Sequence, residues 1–180
     1  LEDMLSRHPN NWKLLSVYGH LLLEYKDYDS GLQCFERALT LKEDESSIYY
    51  DIARTLLALN REPERIRSLL ERALELEEKA FYVHYLLGEV LERYLNENDK
   101  ARYHYERALQ LDDTHAGAHR YLGRLLWHEY EEVGLARYHF ERAVACNNAD
   151  AKAHALLGSI LFHHEGVQAA DAIIFHIQRA

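Results

Sequence analysis

Twelve histidines stand in a chain of 180 residues, and their spacing raises metal chemistry first. His115 and His119 are four apart, a separation that sets two imidazoles on one helical face, where they could share an ion. His163, His164 and Glu165 form a second cluster. A tetrahedral site, however, needs three or four converging ligands, and neither Cys34 nor Cys146 lies near. His84, His119 and His154 also recur at a fixed interval, as do His104 and His139. A recurring position reads as packing, so no metal and no cofactor is expected. Catalytic motifs are missing as well: there is no HExxH, GxSxG, GxGxxG or phosphate-binding loop. Tyr18-Gly19-His20 and Leu157-Gly158-Ser159 fall within helical patterns, the wrong setting for a nucleophile elbow. Glu36/Arg37, Glu71/Arg72, Glu106/Arg107 and Glu141/Arg142 sit at one helical phase, which marks a solvated face with ion pairs between repeats. No catalytic residue and no enzyme activity is expected.

The elements that carry these residues follow from composition and self-similarity. Charged residues make up 28% and Pro only 2 residues, with Leu, Ala, Glu and Arg abundant, so an all-α chain is expected. The net charge of −9 opposes nucleic acid and anionic membrane surfaces. No run approaches the roughly 18 apolar residues of a membrane span. The opening LEDMLSRHPNN lacks the basic flank and apolar centre of a secretion signal. The two cysteines make no disulfide framework, which points to a reducing, cytoplasmic setting. The first residue is Leu, so the chain reads as excised or processed. Small residues at Gly19, Ala53, Gly88, Gly123 and Gly158 recur at steps of 34 and then 35. A second series, FERAL (35–39), LERAL (70–74), YERAL (105–109) and FERAV (140–144), keeps the same phase. Each unit is therefore two amphipathic helices: a small residue in the first admits the second, and residues 35, 70, 105 and 140 fill the gap. One unit cannot bury its apolar face alone, so units stack. Turn signals at 26–29, 60–63, 96–99 and 146–148 separate the helices, with Pro63 in a first helical turn and Asp99 and Asp150 as N-caps.

These residues resemble the tetratricopeptide repeat, W-x₂-L-G-x₂-Y then A-x₃-F then Pro. Here the pattern is His119, Leu122, Gly123, Leu126, Ala136 and Phe140, and the resemblance covers essentially the whole chain. It implies a right-handed α-solenoid of stacked antiparallel helix pairs over 1–180. Residues 1–9 would end a preceding helix, and repeats would span 12–45, 46–80, 81–115, 116–150 and a truncated 151–180. Repeats two to four carry one extra residue between their helices. Only Pro9 matches the closing Pro. Ile173, Ile177 and Ala180 complete the last repeat after a longer turn. Both ends lack a polar capping helix, so a longer array, or ends covered by a partner or a second copy, is expected.

The resemblance further implies that first helices line a concave groove. Its expected peptide-binding residues are Lys13, His20, Tyr50, Arg54, Tyr82, Tyr85, Glu89, Arg120, Arg124, Trp127, Ser159 and Phe162. Aromatics and Arg are frequent interface anchors, and Arg54, Arg120 and Arg124 suit an acidic or carboxylate-ended segment. The competing reading is that these Arg residues pair with Glu89 and Glu92. The Lys and Asn clamp of chaperone-tail binders is missing, since Ser16, His20, Tyr50 and Arg54 hold those positions, so no binding to that tail is expected. The leading expectation is a non-enzymatic scaffold that holds a peptide or helix of a partner. The alternatives are a half-a-tetratricopeptide scaffold of RNA processing, suggested by Lys100-Ala101-Arg102 and Leu135-Ala136-Arg137, a pentatricopeptide RNA binder, and self-association through uncapped ends.

Overall fold

The computed structural model describes residues 7–165 and 170–180. Ten helices follow in order among them: α1 Trp12–Glu24, α2 Tyr28–Leu41, α3 Ser46–Ala58, α4 Pro63–Leu76, α5 Phe81–Arg93, α6 Asn98–Leu111, α7 Ala116–His128, α8 Val133–Cys146, α9 Ala151–Glu165 and α10 Ala170–Ile177. No strand occurs among the described residues. The chain is all-α, built of pairwise-packed helices. The expected preceding helix falls mainly on residues 1–6, outside the described residues.

The chain divides into two compact units, Leu1–Asn96 and Glu97–Ala180, each with its own core. In the first, α1 packs on α2, α2 on α3, α3 on α4 and α4 on α5. In the second, α6 packs on α7, α7 on α8, α8 on α9 and α9 on α10. The series read from sequence forms these cores. Phe35, Leu70, Tyr105 and Phe140 are fully buried, as are Ala38, Ala73, Ala108 and Ala143 three residues later. Burying each large side chain contributes roughly 1.5–3 kcal/mol. The small residues are needed for contact distance. A Cβ on Gly19 would stand 2.8 Å from the Phe35 ring, and one on Gly123 would stand 2.8 Å from the Phe140 ring.

With little glycine to spend on turns, the first helices close on ordinary residues in the left-handed conformation. Lys26 (φ 61°) and Asn60 (φ 54°) do so. The paired bonds Asp27 N–H to the Leu22 carbonyl and Lys26 N–H to the Leu23 carbonyl make a Schellman turn. Arg61 and Asn60 repeat it on Leu56 and Leu57. The segments 59–62, 94–97 and 129–132 between helices are one residue longer than 25–27. Pro63 opens α4 at its first turn, where its missing N–H costs nothing.

Two capping expectations part ways. The Asp150 carboxylate accepts from the Lys152 and Ala153 amides at 3.0 and 3.1 Å, as an N-cap does. Asp99 is not a cap. The cap position of α6 is Glu97, without a side-chain cap bond, and Asp99 lies inside the first turn, where it accepts from the Tyr130 hydroxyl. The helix starts two residues ahead of the point a simple turn signal suggests, as α2 does, where Asp27 is the cap and Asp29 lies in the first turn.

The last repeat is spaced differently. α9 has 15 residues where α7 has 13, and the turn expected to be long lies in 166–169, outside the described residues. A Cβ on Gly158 would meet the Ile177 side chain at 3.8 Å and the Ile173 carbonyl at 3.9 Å. Gly123 stands closer to Phe140 and the Ala136 carbonyl, so Ile173 takes the place of Ala136 and Ile177 the position of Phe140 without its burial.

Candidate functional site

The residues expected at a groove all lie on first helices. Lys13 and His20 stand on α1, Tyr50 and Arg54 on α3, Tyr82, Tyr85 and Glu89 on α5, Arg120, Arg124 and Trp127 on α7, and Ser159 and Phe162 on α9. Within α5 and within α7, three- and four-residue spacing puts Tyr82 beside Tyr85 and Arg120 beside Arg124.

In the first unit, several of them meet. An Arg54 guanidinium N–H donates to Nδ1 of His20 at 3.3 Å. With Nδ1 accepting, the imidazole proton sits on Nε2 and is donated to the Asp51 carboxylate at 3.1 Å. Arg54 also lies 3.7 Å from the other Asp51 oxygen. A chain of hydrogen bonds thus runs from an exposed guanidinium through an imidazole to a carboxylate that is only 6% exposed. Burial pushes the Asp51 carboxyl up to about 6, against the opposing pull of His20 and Arg54. The Arg54 guanidinium lies 5.9 Å from the Tyr50 ring centre, and Tyr50 meets Tyr82 edge-to-face at 4.8 Å. Burial raises both tyrosines above their ordinary value, so their hydroxyls stay protonated. Beside this constellation opens a cavity of about 560 Å³ lined by His20, Leu23, Glu24, Tyr28, Arg54, Thr55 and Ala58. Lys13 lies over the ring of its neighbour Trp12. Tyr85 is half-buried. Glu89 is largely buried and pairs with Arg93 on its own helix.

In the second unit, Arg120 and Arg124 both lie over the Tyr121 ring, at 4.7 and 4.8 Å. Arg120 also binds the capping carboxylate Asp150 at 3.0 Å, so one aspartate both caps α9 and fixes an arginine of α7. Trp127 stacks on His128 and lies 6.0 Å from His163. Ser159 and Phe162 border an apolar cavity of about 410 Å³ that includes Gly158, Ile173 and Ile177.

Sequence reading missed Asp51 and Tyr121. They share one repeat position, two residues before the small residue, where the other repeats hold Val17, Leu86 and Leu156. An acidic residue in that apolar column was the available signal.

The histidines have structural engagements. His115 caps α7 by accepting from the Ala118 amide at 3.0 Å. His119 donates from Nε2 to the Asp113 carbonyl at 2.9 Å and faces His139 through Nδ1. The recurrent ion pairs also cross repeats: Arg65 bonds Glu36 at 2.5 Å, and Arg142 reaches the carbonyl and carboxylate of Asp113. No group of three or more potential metal ligands converges among the described residues, and no described helix is long and apolar enough to cross a membrane.

Solved structures of similar fold cover nearly all of the chain. YrrB, a TPR protein with an unusual peptide-binding site, superposes at a TM-score of 0.75 over 97% of this chain and 91% of its own, with 18% identity. PilF from Pseudomonas aeruginosa gives 0.82 over 97% and 78%, at 14% identity. A MamA from Desulfovibrio magneticus RS-1 gives 0.78 over 93% and 94%, at 18% identity. The chain has the tetratricopeptide-repeat fold. No protein-family model and no curated protein matches its sequence.

Proposed function

We propose that this TPR chain is a non-enzymatic scaffold that holds an acidic segment of a partner protein against its first-helix face. The observation that carries the reading is the Arg54–His20–Asp51 chain. A buried carboxylate fixes an imidazole and a guanidinium beside a cavity, with the Tyr50–Tyr82 pair next to them. Pre-fixed Arg with adjacent aromatic surface is the composition of interface anchors, and a guanidinium held in place binds carboxylates in a defined geometry. Arg120, Arg124 and Trp127 provide a second basic and aromatic patch on α7. YrrB, of the same fold, is itself described as having a peptide-binding site. A cytoplasmic location is in keeping with the two free cysteines.

Selection from a random peptide library tests this reading. The expected result is enrichment of acidic sequences that also carry an aromatic residue, lost when Tyr50 and Arg54 are both replaced by Ala. Enrichment of basic sequences, or none, would reject it. An acidic peptide ending in EEVD should not bind at micromolar affinity, because the Lys and Asn clamp of chaperone-tail binders is replaced.

A second reading, self-association, is favoured by one observation. Phe162 and Ile177, which border one cavity in the second unit, are 62% and 63% exposed, and Ile174 and Phe175 of α10 are exposed as well. Light scattering over a concentration series should then show growing mass, abolished by Phe162→Ser with Ile177→Ser. A constant monomer mass refutes it.

A further inference from the structure

Two imidazole pairs in the second unit lie apart from the face described above. His119 on α7 and His139 on α8 meet Nδ1 to Nδ1 at 2.9 Å, and His154 on α9 and His176 on α10 meet in the same way at 2.8 Å. Each first-helix imidazole is fixed at its other nitrogen. His119 Nε2 donates to the Asp113 carbonyl at 2.9 Å, and His154 Nε2 donates to the Asn148 carbonyl at 3.1 Å, both six residues back. A neutral imidazole carries one proton. With that proton on Nε2, the Nδ1 of His119 and of His154 must accept, and the Nδ1 of His139 and of His176 must donate. One proton bridges each helix pair. An added proton goes either to the outer Nε2 of His139 or His176, which charges a ring packed against another imidazole, or between the two Nδ1 atoms, where two protons would face each other and break the contact.

His84 holds the first-helix position in the third repeat, with its Nε2 on the Glu78 carbonyl at 3.1 Å, but the first two repeats show that the fold does not require imidazoles there. Leu15 and Cys34 hold the two positions in the first repeat, Tyr49 and Leu69 in the second. The Tyr49 hydroxyl donates to the Glu43 carbonyl at 2.9 Å, six residues back, reproducing the backbone anchor without a titratable base near neutrality. We propose that the His119–His139 and His154–His176 pairs are acid-labile clasps that hold the α7–α8 and α9–α10 helix pairs closed through a single shared proton, so that opening either pair takes up protons and the second unit loosens in acid.

The surroundings support the direction. Burial holds the His139 ring down to about 4, with His119 and Arg102 adding to the effect. Burial also lowers His119, where Arg142 and His115 act with it and the Asp113 carbonyl and carboxylate act against it. Arg102 reaches the site from α6 and is itself bound to Glu106 and Glu132. From α9 the buried ionisable group is His154, engaged in the second clasp. His176 is lowered by burial and by His154, against Glu141 of α8, which pairs with Arg137. Once its helix pair opens, His139 regains its ordinary value near 6.5 and binds a proton that the closed pair refused. α7 also carries Arg120, Arg124 and Trp127, so opening the first clasp would take that face apart.

Amide hydrogen exchange on the full chain at pH 7.5 and 5.0, corrected for the intrinsic pH dependence of exchange, tests the clasps. Protection in α7–α10 is expected to fall at least about tenfold more than protection in α1–α4. Replacing His119→Tyr and His139→Leu installs the pair that the second repeat already uses. That variant should keep α7 and α8 protected at pH 5.0, while α9 and α10 still lose protection. Equal loss in both units, or unchanged acid sensitivity of α7 and α8 in the variant, would overturn the proposal. Should the variant fold poorly, nitrogen NMR of the wild-type histidines decides. At pH 5.5 His139 is expected to be neutral, with the His119 proton on Nε2; His139 titrating near 6.5 would contradict the clasp.

Discussion

Single residues set the distance between paired helices, and the glycines show it from both sides. A methyl group at Gly123 would lie 2.8 Å from the Phe140 ring and 3.1 Å from the Ala136 carbonyl. Gly123→Ala is therefore expected to cost about 1–3 kcal/mol through forced separation of α7 and α8, read as a lower urea midpoint. Gly134, on α8, has no atom within 4 Å of a would-be Cβ. Gly134→Ala should stabilise by about 0.5–1 kcal/mol, because Ala is the better helix former. The same measurement would thus give opposite signs for two identical substitutions. The first glycine was legible in the sequence because it recurs with an aromatic at a fixed distance. Asp51 was not, since nothing in a repeat pattern says that one charged residue in an apolar column will be drawn to a histidine 31 positions earlier. Its pairing with His20 and Arg54 depends on how α1 lies against α3, which periodicity does not specify.

The helices themselves were legible, and their exact starts less so. Periodic apolar and small residues fix which segments are helical, because burial on one face needs that period. Asp150 caps α9, but Asp99 lies in the first turn of α6, as Asp29 does in α2, and Glu97 stands at the cap. Asp150→Ala should cost about 1 kcal/mol for the lost cap and also release Arg120 from its 3.0 Å contact. Hydrogen exchange at the first turn of α9 would report the first effect. The histidines that recur on first helices, His84, His119 and His154, are buried. The hydrogen-bonded pairing was not legible, because the partner of His154 stands at His176, two residues later than the repeat step predicts.

Across the whole molecule, α1–α4 and α7–α10 should answer acid with opposite signs. Asp51 has a folded value of about 6, above its ordinary 3.8. A raised carboxyl favours the folded state while protonated, so its contribution is present below about 3.8 and is lost as pH rises through about 6. His139 has a folded value of about 4, below its ordinary 6.5. A lowered imidazole favours the folded state above about 6.5, and that contribution is lost as pH falls toward 4. Between these limits, acid should tighten α1–α4 and loosen α7–α10. Asp51→Asn should remove the trend in the first unit alone, as read by residue-resolved exchange.

The function proposed for this architecture rests on a prearranged basic and aromatic face, and calorimetric titration examines it most directly. An acidic peptide carrying one aromatic residue, obtained by library selection, is titrated into the wild-type chain and into folded Arg54→Ala and Arg124→Ala/Trp127→Ala variants. The account predicts micromolar binding to the wild type, weakened at least about tenfold by Arg54→Ala, the scale of an interface hot spot, and weakened further by salt. Undiminished affinity in both variants, or no binding by any acidic peptide, would contradict it.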